Sequence, residues 1–186
     1  MKTILVTGGA GFIGSNFIRY MLNKYEDYKI VNLDALTYSG NLSNLKDIEN
    51  NERYTFIKGS INDIGLINSV VEKGANYIIN FAAESHVDRS IQNPGIFVET
   101  NIMGTQVLLD AAKKYEIEKY IQISTDEVYG SLGNTGYFTE ETPLAPNSPY
   151  SASKASADML VRSYHESFML PMNITRCSNN YGPFQF

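Results

Sequence analysis

Ile4-Leu5-Val6-Thr7-Gly8-Gly9-Ala10-Gly11-Phe12-Ile13-Gly14 opens the chain. An apolar run from Thr3 to Thr7 reads as a strand, and Phe12 to Lys24 as a helix, with a glycine turn between them. The spacing satisfies both G-x-G-x-x-G and G-x-x-G-x-x-G. Glycines there allow a tight turn and let the backbone approach a pyrophosphate. The helix start presents free amide N–H groups and its positive dipole end to such an anion. A plain strand-to-helix turn can also be glycine-rich. The strand before it and the apolar helix after it are the context that makes the pattern a dinucleotide signature. Gly8, Gly11 and Gly14 are the first candidate cofactor contacts.

Outward from this turn, strand-like and helical stretches alternate. Strands are expected at Lys29 to Leu33, Tyr54 to Lys58, Tyr77 to Phe81, Tyr120 to Ser124 and Met172 to Arg176. Helices are expected at Ile64 to Glu72, from about Pro94 to Tyr115 as one long element, and from Tyr150 to about Met169. Short apolar strands separated by helices imply an α/β fold, a Rossmann-type doubly wound parallel sheet with helices on both faces. Sites in such sheets lie at the carboxyl ends of the strands. Gly8, Asp34, Ala82, Thr125 and Ser178 all fall there. Gly130 to Pro149 is a long irregular segment of the kind that is usually functional or mobile.

Asp34 lies at the end of the second strand, twenty residues after Gly14. A carboxylate there can bond both adenosine ribose hydroxyls and would repel a 2′-phosphate, and no Arg or Lys follows until Lys46. This favours NAD over NADP, against the alternative of a simple turn aspartate. Asp63-Ile64 follows the third strand, where an adenine could rest, and Asp63 serves equally well as a helix N-cap.

Tyr150 and Lys154 are four apart and share one helix face. A phenol is a poor base at neutral pH, and a nearby ammonium is expected to lower its pKa. The same lysine can bond a nicotinamide ribose. Thr125-Asp126-Glu127 follows the fifth strand. Thr125 can hydrogen-bond the oxygen that Tyr150 deprotonates, and the two acids offer a proton donor and acceptor, or else a solvated turn or helix cap.

The bulk properties exclude several classes. The 186 residues are 43% hydrophobic, enough for one well-buried domain. Net charge is −5, and the 15 basic residues are scattered, which argues against nucleic acid and against an anionic membrane surface. No apolar run approaches transmembrane length, and Met1-Lys2 leads straight into a strand, so no signal peptide is expected. Cys177 is the only cysteine. It cannot form an internal disulfide, which fits a reducing cytoplasm; a passive near-core thiol is favoured over a reactive one. His86 and Asp88 form no metal or triad set, and no metal is expected.

With these motifs assembled, the chain resembles the extended short-chain dehydrogenase/reductases and, among them, the dTDP-glucose 4,6-dehydratases. The matching stretches are T-G-G-A-G-F-I-G-S-N-F at the start, Asp34 to Asn41, A-A-E-S-H-V-D-R-S at 82–90, S-T-D-E-V-Y-G at 124–130, Y-S-A-S-K-A at 150–155 and R-C-S-N-N-Y-G-P at 176–183. The resemblance implies an oxidation, elimination and reduction cycle on a sugar nucleotide. Tyr150, with Thr125 and Lys154, would deprotonate the sugar 4-hydroxyl while NAD takes hydride. Glu127 would remove the carbon 5 proton, and Asp126 would protonate the departing 6-hydroxyl. It also implies that Phe12, Ile13, Asp34, Ala35, Leu36, Thr37, Asp63, Ile64, Phe81, Ala82, Ala83, Ser85, Thr100 and Asn180 touch NAD, that Ser85 and Asn179 touch substrate, and that the protein is a homodimer. Asn101 could orient a water or a backbone group, or simply sit in a helix interior. Members of the family continue into a sugar-nucleotide-binding region. Residues 1–186 are therefore read as the NAD-binding domain alone, from a fragment or a truncated product. A sugar-nucleotide 4-epimerase, or a non-catalytic NAD-binding remnant, are the alternatives.

Overall fold

The computed structural model describes residues 1–185. Six strands form one sheet: β1 (Lys2–Thr7), β2 (Tyr28–Asp34), β3 (Tyr54–Lys58), β4 (Tyr77–Asn80), β5 (Lys119–Thr125) and β6 (Met172–Cys177). Their order is β3-β2-β1-β4-β5-β6, and every neighbouring pair is parallel. The order reverses between β1 and β4, the crevice where open α/β sheets bind ligands. The expected Rossmann-type architecture is what forms.

Strand alternation decides which helix covers which face. Along β1, Leu5 points to one side and Ile4 and Val6 to the other, all essentially buried. The Leu5 side packs with Ile78 and Tyr120 against α2 (Ile64–Glu72), through Ile67 and Val71, and against α5 (Gly104–Lys114), through Leu108 and Ala112. Val161 of α6 (Pro149–Phe168) completes that layer. The Ile4/Val6 side packs against Ile18 and Leu22 of α1 (Phe12–Lys24) and against Leu45 and Ile48 of a 3₁₀ turn at Leu42–Ile48. Beneath the site, Thr7 Oγ1 donates to Asn80 Oδ1 (2.6 Å), and Asn80 Nδ2 donates to Gln122 Oε1 (3.1 Å). These buried partners tie the ends of β1, β4 and β5 in register, as buried polar groups must be satisfied.

One expectation fails. The helix foreseen from Pro94 to Tyr115 is instead α4 (Pro94–Phe97), a π-helical stretch at Val98–Met103 and then α5, ending at Lys114. The widened turns bring the buried Asn101 inward. Its amide accepts from Glu84 N (2.9 Å) and donates to Glu84 O (3.0 Å) and to Ser153 Oγ (2.8 Å). Asn101 thus orients backbone, one of the two roles foreseen for it, and π-bulges of this kind often mark functional sites. A short helix, α3 (Val87–Gln92), was not foreseen. No helix among the described residues is long and apolar enough to cross a membrane.

Candidate active site

A cavity of about 760 Å³ opens along the carboxyl ends of β1, β2, β4 and β5. The glycine turn forms its floor. Gly8 has φ +71°, and a β-carbon there would sit 2.5 Å from Ala82 N; at Gly14 it would sit 2.4 Å from Gly8 O. Both positions demand glycine for the chain's own sake. Gly11 does not: the nearest atoms to a β-carbon there are Gly8 O at 3.4 Å and Ser39 O at 3.8 Å. Space is kept open at Gly11 on the cavity side. No side chain caps α1 at Gly11, so its first-turn amides face the cavity without a side-chain partner.

Asp34 is 8% exposed and spans the turn: Oδ2 accepts from Ala10 N (2.9 Å) and Oδ1 from Leu36 N (2.8 Å). A carboxylate has about four acceptor sites, so capacity remains on its cavity side. Of the residues carried by resemblance, Gly8, Gly11, Phe12, Ile13, Gly14, Asp34, Ala35, Thr37, Phe81, Ala82, Ala83, Ser85, Thr100, Tyr150 and Lys154 line the cavity. Five others that resemblance carried as NAD or substrate contacts, Leu36, Asp63, Ile64, Asn179 and Asn180, lie outside its wall. Asp63 caps α2 through Leu66 N (2.9 Å), and Ile64 is 63% exposed. Leu36 adopts φ +53° and packs beside the Ile4/Val6 core. Asn180 is exposed and donates to Ser178 O (3.0 Å); Asn179 is exposed beside it.

Tyr38 and His86 line the cavity without having been read as cofactor contacts, His86 having been read as structural, and Glu84, inside the Phe81 to Ser85 stretch that resemblance carried to NAD, lines it too. The Tyr38 hydroxyl accepts from Ser85 N (3.1 Å), its ring lies 5.1 Å from that of His86, and the Arg89 guanidinium stacks over it at 3.8 Å. The sequence signal was available, since all three fall inside the quoted 34–41 and 82–90 stretches. Phe184 and Gln185 also reach the wall.

The side chains expected to be reactive stand at the β5 end. Ser148 and Ser151 form a reciprocal capping box with Pro149 in the first turn, which sets where α6 begins and puts Tyr150 in its opening turn. Thr125 ends β5 and caps a 3₁₀ turn at Asp126–Tyr129, accepting from Glu127 N (3.2 Å). The large cavity's wall reaches Ser124 and stops short of Thr125, Asp126 and Glu127; Asp126 instead borders a second cavity of about 450 Å³, with Tyr129 and Arg176.

Here the electrostatics differ from expectation. Lys154 does not lower the Tyr150 pKa. Burial, then the Glu127 charge, pushes the Tyr150 phenol up to about 12, with the Thr125 hydrogen bond pulling the other way. The Lys154 ammonium is instead donated to Ile123 O at 2.6 Å. Burial brings Lys154 down to about 8, opposed mainly by the Asp158 charge. Partial burial of the Glu127 carboxyl, then the Asp126 charge, raises Glu127, although much of that side chain reaches solvent.

The Lys154 shift carries a stability consequence. A lysine at about 8 in the folded protein and 10.5 ordinarily disfavours folding while charged, by about 3 kcal/mol. Stability lost to this group is fully lost below about pH 8 and is regained as pH rises from there toward 10.5. Lys154→Met, which keeps the stem and removes the charge, should therefore melt higher than wild type at pH 7, with the gap narrowing by pH 9.5. Thermal scans at the two pH values check this; a variant that melts lower at pH 7 would refute it.

Sheet order, glycine turn and cavity define a dinucleotide-binding protein of Rossmann type, with Tyr150 and Lys154 on the cavity wall. The model of the GDP-mannose 4,6 dehydratase family matches residues 5–186, and the chain belongs to that family. A dTDP-glucose 4,6-dehydratase of Xanthomonas campestris pv. campestris (strain B100) is 52% identical over all of this chain and 55% of its own length. The solved dTDP-glucose 4,6-dehydratase of Bacillus anthracis, in complex with NAD, matches with TM-score 0.92 and 58% identity, over 100% of this chain and 57% of that one. That of Streptomyces venezuelae, with NAD bound, matches with TM-score 0.94 and 48% identity, over 98% and 57%. The chain thus spans a little over half the length of the relatives it matches.

Proposed function

We propose that this chain is the NAD-binding and proton-transferring part of a dTDP-glucose 4,6-dehydratase. The observation that carries the reading is the Asp126-Glu127 carboxyl pair, held at the end of β5 close enough to Tyr150 for both charges to act on its phenol. A 4-epimerase needs the tyrosine but has no use for an acid and a base to expel water. The dinucleotide is NAD: the unfilled space at Gly11, the uncapped first turn of α1 and the spare acceptor capacity of Asp34 fit a pyrophosphate and an unmodified ribose. Bound NAD supplies the hydride acceptor and later returns the hydride. Tyr150 accepts the proton of the sugar 4-hydroxyl, with Thr125 beside it. Glu127 takes the proton that the 4-ketone acidifies at carbon 5, and Asp126 delivers one to the leaving 6-hydroxyl, so water departs. Residues 1–186 serve as the NAD-binding domain. The region of the relatives outside this match supplies the rest of the sugar-nucleotide pocket, including the partners of Ser85 and Asn179. Family resemblance supports a homodimer, and the lone cysteine supports a cytoplasmic setting.

The native polypeptide mixed with dTDP-glucose should yield a product lighter by one water in mass spectrometry. An epimer of unchanged mass would refute the reading in favour of the epimerase. NAD binding without turnover would favour the non-catalytic alternative. Calorimetry should show NAD bound at least about tenfold tighter than NADP, since a 2′-phosphate would meet the buried Asp34 carboxylate. Equal affinities would remove Asp34 from that role.

A further inference from the structure

The three reactive residues of the β5 end are bracketed by two side chains that converge on one buried ion pair. Ser124, just before Thr125, donates from Oγ to Asp158 Oδ2 at 3.0 Å. Tyr129, which closes the 3₁₀ turn, accepts at its hydroxyl from Arg176 Nη1 at 2.9 Å, with the guanidinium also 5.1 Å from its ring centroid. Arg176 Nε donates to the same Asp158 Oδ2 at 2.9 Å. Asp158 is 2% exposed, Ser124 6% and Tyr129 8%. β5, the turn, α6 and β6 are thereby joined at one point. Asp158 lies one helical turn beyond Lys154 and two beyond Tyr150, on the face that carries both.

Stability does not account for this arrangement. A buried ion pair is often no better than well-packed apolar residues of similar volume. This one even leaves Asp158 Oδ1 buried with no hydrogen-bond partner, a cost an apolar pair would avoid. Geometry is what it supplies. Thr125 to Val128 are held by local, backbone and packing contacts: Thr125 Oγ1 accepts from Glu127 N, Ala145 N donates to Val128 O at 3.0 Å, and the buried Val128 packs against Ala155 of α6, a contact without direction. The hydrogen bonds at the two ends of the turn add direction to that packing and tie it to the helix that bears Tyr150.

We propose that the Asp158–Arg176 pair is a positioning device for this reaction: through Ser124 and Tyr129 it locks the Thr125-Asp126-Glu127 turn in register with Tyr150 and Lys154. This rests on the dehydratase reading. Arg176 borders the second cavity beside Asp126, but in this role the pair acts through the residues it holds, Ser124 and Tyr129. The Asp158 charge also favours the protonated form of the Lys154 ammonium.

Removing either member of a buried pair risks unfolding, so the test uses the outer arms. Ser124→Ala and Tyr129→Phe leave the pair and the packing in place and cut one tie each. In the native polypeptide with NAD, hydrogen exchange of the segment 124–130 should rise roughly tenfold in each variant, with exchange in the central strands unchanged. The kcat for dehydration should fall roughly ten- to a hundredfold with KM changed far less, because a small misplacement of reacting groups is costly. Unchanged exchange at 124–130 in both variants overturns the proposal, as does raised exchange with wild-type kcat. If the wild type does not dehydrate dTDP-glucose, the functional reading falls, and the exchange comparison alone decides whether the pair holds the turn.

Discussion

Tyr150→Phe in the native polypeptide should abolish the absorbance of enzyme-bound reduced cofactor that wild type develops on mixing with dTDP-glucose. The substitution keeps the ring, which packs edge-on against Phe97 at 6.3 Å between centroids, so the helix and its capping box have no reason to move. On the proposed reading, what is lost is the proton acceptor for the 4-hydroxyl. Loss of a positioned acid or base costs about a hundred- to ten-thousandfold in rate. With its phenol at about 12, Tyr150 works against burial and against the Glu127 charge, and Lys154 is held on the Ile123 carbonyl. Thermal melting within a few degrees of wild type, with NAD affinity retained, separates lost chemistry from lost structure. A variant that reduces NAD at the wild-type rate would remove Tyr150 from the reaction.

Why Tyr150 was legible from sequence, while its electrostatics were not, has a physical answer. The i, i+4 spacing of Tyr150 and Lys154 is a local property of a helix, as the glycine turn is of a strand–turn–helix unit, and both formed where their residues placed them. A pKa is a sum over everything that surrounds a group. That Lys154 would spend its ammonium on the carbonyl of Ile123, a residue 31 positions away, and that burial would outweigh any help it gives, depends on how α6 lies against β5. The π-helical stretch follows the same logic. Val98 to Met103 carries an ordinary helical pattern, and only the tertiary need to seat Asn101 between Glu84 and Ser153 widens the turn. Asp63 shows the reverse case. Its sequence context left a helix cap and an adenine contact equally open, and the carboxylate is committed to Leu66 N. Asp158 carried no signal, and Arg176 only opened the quoted 176–183 stretch, because an ion pair between a helix and a strand 18 residues on is visible only once both are packed.

Glu127→Gln should separate the two halves of the reaction in the opposite sense. The amide is nearly isosteric, and the cap that shapes the turn is made by the Glu127 backbone N–H to Thr125, so the turn should stand. On the proposed reading the base for carbon 5 is gone, and elimination should slow by about a hundred- to ten-thousandfold. Oxidation should survive and even quicken. The Glu127 charge is the largest influence after burial that raises the Tyr150 phenol, and a neutral amide withdraws it. Asp126 in turn loses the neighbouring carboxylate. Reduced cofactor should therefore appear at least as fast as in wild type and then persist, with the 4-ketone trapped beside it and no water lost. Stopped-flow absorbance follows the first event and rapid-quench mass spectrometry the second. Loss of both signals would mean that Glu127 shapes the site and does not act as its base, and normal dehydration would hand that proton to another group.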